Sequence, residues 1–366
     1  MPIVAVNISD GEILTYPLPL VVGKVDKGFI RVNGEIKVLV GNKCFRWPIH
    51  QGHFRALVPL TVGENVVTLT WLTDELSLTL HYQLIDPVYR IRLVYIYCHD
   101  HDGSFQAPPG EENTMESACR RIALACNMAQ SFTAEAMRYH GFGRQTFHLE
   151  LDSETNETKC LPFQTKLSFN QALEMSSESL WMYLARDLMT SDLTHKDTTK
   201  FLGFLSFTRY AWTPEKGEVP RTHRQVMALT RGHAALGGGG LALLGTGCLH
   251  TWSPCVAQLP VRLTDPTMID RRQLMDDSAN RGFYWACYST GLGALLHELG
   301  HTFDLGHTAT GIMCRGDNIY LAFLPAPNPT DLQMGINVCV CGTEDLETDD
   351  QPHWARSSSV MLHFHK

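Results

Sequence analysis

The run His297-Glu298-Leu299-Gly300-His301-Thr302-Phe303-Asp304-Leu305-Gly306-His307, with Gly311-Ile312-Met313 close behind, constrains this chain more than any other feature. Two histidines four residues apart stand one turn apart on one face of a helix, so both imidazoles can reach a single ion. His307, six residues on, can complete a three-histidine site for Zn2+ that keeps a position open for water. Glu298 lies between the first two histidines, placed to take a proton from that water.

The pentapeptide HExxH is weak evidence by itself, expected by chance in roughly one such sequence in 25. A further histidine at a workable offset lowers this to roughly one in 500. The lead-in supports it: Ser289 is a candidate N-cap, and the small and apolar residues through Leu296 suit a buried helix passing behind an active site. As an ordinary core helix the segment would bury three imidazoles and a carboxylate uncompensated, which is costly.

These residues resemble the metzincin clan of zinc peptidases, whose pattern is HExxHxxGxxH followed by a methionine turn. Within it, the chain is similar to the "putative zinc metallopeptidase" family of fungi and animals through the string HELGHxFDLxHTxxGIM. The resemblance runs from about Tyr89 to the C-terminus and is strongest over 291–316. Carried over by position, it implies His297, His301 and His307 as ligands of one catalytic Zn2+, Glu298 as general base and acid, and Met313 as the methionine under the metal. It implies a zinc-dependent endopeptidase acting on a peptide or protein substrate. Some metzincins add a tyrosine just after the methionine turn; none follows Met313 closely here, and Tyr320 is a poor candidate. No cysteine-switch propeptide is apparent.

One position departs from the clan. Asp304 stands where glycine lets the chain leave the helix with positive φ. Asp is among the few other residues that tolerate the left-handed region, so Asp304 is read as the turn residue, with Gly306 available to share the turn. The alternative is a carboxylate that orients a ligand histidine. Two rival functions stay open: a catalytically weak or inactive zinc-stabilised binding protein using a sheet edge and the N-terminal β-domain, and an enzyme acting on a non-peptide amide. Glu298 counts against the first, since a binding protein has no need of that carboxylate.

At 366 residues the chain has room for two domains. Residues 1–86 read as all-β, a small sandwich of immunoglobulin-like shape. Asn33-Gly34 signals a hairpin within 29–40, and further strands are expected at 54–60, 66–71 and 76–82. Asp86-Pro87 is the expected boundary. Residues 87–366 read as an α/β (α+β) metzincin-like catalytic domain with a twisted sheet and an active-site helix. It should hold strands at 90–97, 146–151 and 201–207, a helix over 115–139 capped by Thr114 and stopped at Gly141, and a helix over about 170–189.

The formal charge of −8 gives no reason to expect nucleic acid or an anionic membrane as partner, and no apolar run is long enough to span a bilayer. The first residues lack the pattern of a signal peptide, and 11 cysteines at irregular spacing suit free thiols, so a cytoplasmic location is expected. The sequons at Asn7 and Asn156 are then chance matches. Gly237-Gly238-Gly239-Gly240 precedes Leu241-Ala242-Leu243-Leu244 without the spacing of a phosphate loop. It reads either as a flexible loop feeding a strand or, as the resemblance implies, as the edge strand above the cleft. Gly240, Leu241, Ala242 and Leu243 would then bind substrate by main-chain pairing.

The remaining constellations are weak. His99-Asp100-His101 reads as a solvated turn, and Cys339-Val340-Cys341 has no partner pair for a structural zinc. Cys314 reads as a small buried filler beside Met313. A loop is expected at 325–329 and a solvated acidic run at 344–350. The segment from His353 to Ser358 resembles a closing segment of the family, and no role for it follows from its residues.

Overall fold

Alternation of apolar and polar positions builds the N-terminal sheet of the computed structural model, which describes residues 3–25, 32–194, 198–314, 320–324 and 352–365. Its strands are β1 (Ile3–Ala5), β2 (Ile13–Leu14), β3 (Leu20–Val25), β4 (Gly34–Val40), β5 (Lys43–His50), β6 (His53–Leu57), β7 (Gly63–Trp71) and β8 (Asp74–Tyr82). They join in the order β1-β3-β6-β5-β4-β7-β8-β2. The expected two-sheet sandwich is replaced by one continuous sheet, curled until β1 touches β7 and β8. Tight hairpins explain the continuity. Gly41, Gln51-Gly52 and Leu72 take positive φ and turn β4 into β5, β5 into β6 and β7 into β8, so no break separates a second layer. Asn33-Gly34 makes a different turn from the one expected: Gly34 opens β4, and Asn33 Oδ1 accepts from the Gln51 amide at 2.8 Å. Residues 29–31, the expected partner strand, lie outside the described residues.

From residue 90 the chain alternates strands and helices. β9 (Arg90–Cys98), β10 (Cys160–Thr165), β11 (Thr199–Leu205), β14 (Ala235–Gly238) and β15 (Leu241–Gly245) form a sheet ordered β10-β9-β11-β15-β14, while β12 (Arg209–Tyr210) and β13 (Thr230–Arg231) pair separately. The first four strands of the larger sheet are parallel, and β14 closes one edge antiparallel. Helices α1 (Met115–Tyr139) and α6 (Tyr284–Thr302) cover one face and α2 (Phe169–Glu174) and α3 (Ser177–Met189) the other, while α4 (His223–Ala228) packs by β13 and α5 (Leu259–Leu263) against α6. Both faces are covered, so the central strand is apolar at successive positions. Leu93 and Tyr95 join the core shared with α1 and α6, and Val94 and Ile96 the core shared with α3.

α1 matches expectation: Thr114 Oγ1 caps it by accepting from Ser117 N, and Gly141 at φ 84° ends it. The expected helix at 170–189 breaks at Met175, because Ser176 caps α3 and its extended backbone interrupts the ladder. The expected strand at 146–151 is irregular, with isolated bridges only from Leu149 and Leu151. α6 starts before the expected cap, and Ser289 lies buried inside it. No side chain caps this end. The Tyr284 and Trp285 amides donate instead to the carbonyls of Thr267 and Asp265, at 2.9 and 3.0 Å.

The curled sheet and the α/β region share one apolar core. A buried polar seam joins them at α1. Asn7 Nδ2 donates to Leu20 O and Glu135, and Arg144 pairs with Glu12 and Glu135 while donating to Asn7 O. Asn7 is thereby fully engaged and cannot carry a glycan in this fold. Every described cysteine is a free thiol, and no described helix is long and apolar enough to cross a membrane.

Removing Arg144 deprives Glu12 of its cation and leaves Glu135 with Arg138 alone. Arg144→Met should lower the unfolding free energy in urea by roughly 3–5 kcal/mol; a loss below about 1 kcal/mol would show the seam to be peripheral.

Candidate metal centre

α6 carries His297 and His301 on one face, both half-buried, while His307 returns exposed after the helix ends. Their ring nitrogens offer ligand atoms that all lie within 4.8 Å of one another, the only such group of three among the described residues. Ring centroids are 4.8 Å apart for His297–His301, 5.2 Å for His297–His307 and 4.9 Å for His301–His307.

Two backbone carbonyls aim the helical pair. His297 Nδ1 lies 2.8 Å from Ile312 O, and His301 Nδ1 lies 2.9 Å from Leu305 O. A carbonyl only accepts, so each Nδ1 carries a hydrogen; in the neutral imidazole, the form that binds a metal, each ring then turns a bare Nε2 toward its neighbour. Those two Nε2 atoms are 3.2 Å apart. Two lone pairs facing each other at that distance repel, and a shared cation removes the conflict. Two nitrogens at about 2.05 Å from one tetrahedral ion stand about 3.3 Å apart. The residues therefore fit Zn2+ by both donor chemistry and spacing.

The helix exit decides between the two readings of Asp304. It sits at φ 61°, in the left-handed region, and is the turn residue. The Leu305 amide donates to Gly300 O and the Asp304 amide to His301 O, at 3.1 and 3.2 Å, the paired bonds of a Schellman motif. The Asp304 side chain is exposed and lies 3.6 Å from His365 Nε2, so it orients no ligand histidine. Gly306 is not among the positive-φ residues and does not share the turn. The motif does more than end the helix, because it is Leu305, its following residue, whose carbonyl holds His301.

Met313 is buried beneath α6. A Cβ on Gly300 would come within 2.5 Å of its Sδ, so the glycine between the two ligand histidines is what admits the methionine. Gly311 turns at φ 78°, and a Cβ there would stand 2.5 Å from His353 O. That carbonyl accepts from the Ile312 amide at 2.9 Å. The segment around His353 thus pins the residue whose own carbonyl orients His297. Trp354 anchors it, buried against Phe132 and donating from Nε1 to Thr133 Oγ1 at 3.2 Å, and the helix Arg356–Phe364 continues across α1.

The edge strand is displaced from its expected place. Leu241, Ala242 and Leu243 belong to β15, buried and paired on both sides by β11 and β14, and Gly240 lies in the turn before them. Ala235–Gly238 occupies the edge, because the glycine run turns the chain back and makes the apolar segment an interior strand. β14 lies directly on α6: a Cβ on Gly237 would stand 2.0 Å from Glu298 O. Cys314 is exposed, not a buried filler. His99-Asp100-His101 is a turn after β9 in which His101 stacks on Phe169 at 4.5 Å. Tyr320 starts a short helix, Tyr320–Phe323. The expected loop at 325–329, Cys339-Val340-Cys341 and the acidic run at 344–350 lie outside the described residues.

The sequence profile of a family described as "Putative peptidase family" matches residues 2–356. A protein of Schizosaccharomyces pombe named "Putative zinc metalloproteinase" is 29% identical over 339 residues, covering 86% of this chain and 52% of its own length. One of Saccharomyces cerevisiae with the same description is 28% identical over 335 residues, covering 85% of this chain and 47% of its own. The chain spans about half the length of the curated relatives it matches. Among solved structures, catalytically inactive OgpA from Akkermansia muciniphila in complex with an O-glycopeptide superposes with a TM-score of 0.43 at 14% identity, over 76% of this chain and 61% of that one. Wild-type OgpA gives 0.42 at 15% identity over the same shares.

Two substitutions test the backbone around the site. Gly311→Ala forces a left-handed alanine into the His353 carbonyl and should cost about 2 kcal/mol or more in a denaturant melt, with weaker Zn2+ binding in competition with a chelator. Asp304→Gly relieves a left-handed residue and should gain up to about 1 kcal/mol with Zn2+ affinity unchanged. A destabilised Asp304→Gly protein would contradict the turn assignment.

Proposed function

The chain belongs to this family of peptidases, and on that premise we propose that it is a zinc-dependent endopeptidase of the metzincin type. The observation that carries the reading is the convergence of two carbonyl-anchored imidazoles and His307 on one point, with Glu298 between the first two ligands. His297, His301 and His307 would hold the ion. The chemistry that Zn2+ supplies in such a site is Lewis acidity, which makes water nucleophilic near neutral pH and polarises a carbonyl.

The other roles fall to the chain itself. The Glu298 carboxylate takes the proton of the attacking water and returns it to the leaving amide nitrogen. Met313 is the methionine of the turn, filling the space that Gly300 leaves under the helix and keeping the ligand face from sinking. The edge strand β14 offers unpaired backbone groups to an extended peptide, which adds as a further antiparallel strand. Main-chain pairing demands little of the substrate's side chains, so a peptide or protein substrate suits it.

Cleavage of a peptide library by the wild-type chain should be abolished by a chelator and restored by Zn2+. Glu298→Ala should retain stoichiometric zinc and lose roughly 10²–10⁴-fold in kcat. Wild-type turnover in that variant would sink the assignment of Glu298. A zinc-loaded wild-type chain that cleaves nothing would favour the binding-protein reading.

A further inference from the structure

The edge hairpin packs on α6, and two contacts between them bear on the tip. One is the contact of Gly237 with the Glu298 backbone. The other is Lys200, second residue of β11, whose Nζ donates to Thr302 O at 2.5 Å and to Gly239 O at 3.4 Å. Thr302 follows the ligand His301 and ends α6; Gly239 is the tip of the β14–β15 hairpin. We propose that Lys200 is a positioning residue for substrate: its ammonium bridges the hairpin tip to the end of the metal-bearing helix and so fixes where a peptide laid along β14 meets the metal site. This rests on the peptidase reading above.

No side-chain packing holds the hairpin tip. No heavy atom stands within 4 Å of where a Cβ would be on Gly238, Gly239 or Gly240, so no packing would order the tip even if side chains were present. Consecutive glycines have the largest backbone freedom to lose. Behind the tip, the Phe201 amide of β11 donates to Gly240 O at 2.7 Å and Trp181 Nε1 to Leu241 O at 3.0 Å, whereas the Lys200 bond reaches Gly239 itself. With Lys200 absent, β14 would keep its pairing with β15 and its contact at Gly237, while the tip at Gly239 would lose its link to the end of α6. A tip that shifts there changes where a substrate backbone laid along β14 meets the imidazoles of His297 and His301.

A cation suits this place. The last carbonyls of α6 carry the negative end of the helix dipole, which a positive group at the C-terminus stabilises. Burial pulls the Lys200 pKa down, and the Asp304 carboxylate opposes that shift. The ammonium touches neither Glu298 nor a ligand histidine, so its loss should act on substrate binding rather than on the chemistry.

Lys200→Met and Lys200→Arg in the full chain test this. Lys200→Met should raise KM for peptides roughly five- to ten-fold, the weight of one charge-assisted hydrogen bond. Its kcat should change less than about two-fold and its zinc content not at all, and Lys200→Arg should recover most of the loss by keeping the cation. Hydrogen exchange should quicken at the amides of residues 237–241 in Lys200→Met only. Unchanged KM and exchange would overturn the proposal, as would a parallel fall in kcat and zinc content, which would mark Lys200 as merely structural. If the wild-type chain cleaves no peptide, the peptidase reading fails, and exchange at 237–241 still decides whether Lys200 ties the hairpin.

Discussion

The orientation of two imidazole rings by two backbone carbonyls is the interaction on which the site depends. His297 and His301 could reach one ion from many rotamers. They converge on one point because Ile312 O and Leu305 O each fix a ring hydrogen on Nδ1. Neither carbonyl belongs to a residue whose side chain matters to the chemistry. Each is delivered by a turn: the Schellman exit at Asp304 brings Leu305, and the tight turn at Gly311 brings Ile312. The chain thus uses main-chain geometry after the helix to set the donor atoms on the helix.

Around α6, missing side chains do as much as present ones. Gly300 lets Met313 close from below, and Gly237 lets β14 lie on the Glu298 backbone from the sheet side. Each contact is closer than a methyl group allows. A helix interior glycine costs about 1 kcal/mol relative to alanine, so the close approaches it permits must compensate. The result is a histidine-bearing helix held on two sides by close neighbours.

The clustering of His297, His301 and His307 was legible because helical periodicity ties spacing to geometry: the first two share a face of α6, and the structure brings the third back to them. Thr114 and Gly141 bounded α1 for the same local reason. What could not be read were features that depend on partners distant in sequence. Ser289 looked like a cap, yet α6 begins at Tyr284 because the carbonyls of Asp265 and Thr267 satisfy its first amides. The apolar run at Leu241–Leu244 looked like an edge, yet β14 covers it, since a strand apolar at successive positions belongs inside a sheet. The carbonyls of Ile312, Leu305 and His353 leave no sequence signature, because every residue has one. Gly300 did leave a signal, a glycine inside an otherwise good helix, which points to a close neighbour.

The bond from the Ile312 amide to His353 O has a consequence for how the chain is made. All three ligand histidines leave the ribosome well before residue 353 does. Until that later strip folds back, with Trp354 seated against Phe132, the carbonyl that aims His297 lacks its own support. A nascent chain can therefore display the complete ligand motif while its metal pocket is still slack. Order of synthesis thus puts the last support of His297 in place only after every residue of the histidine cluster has been made.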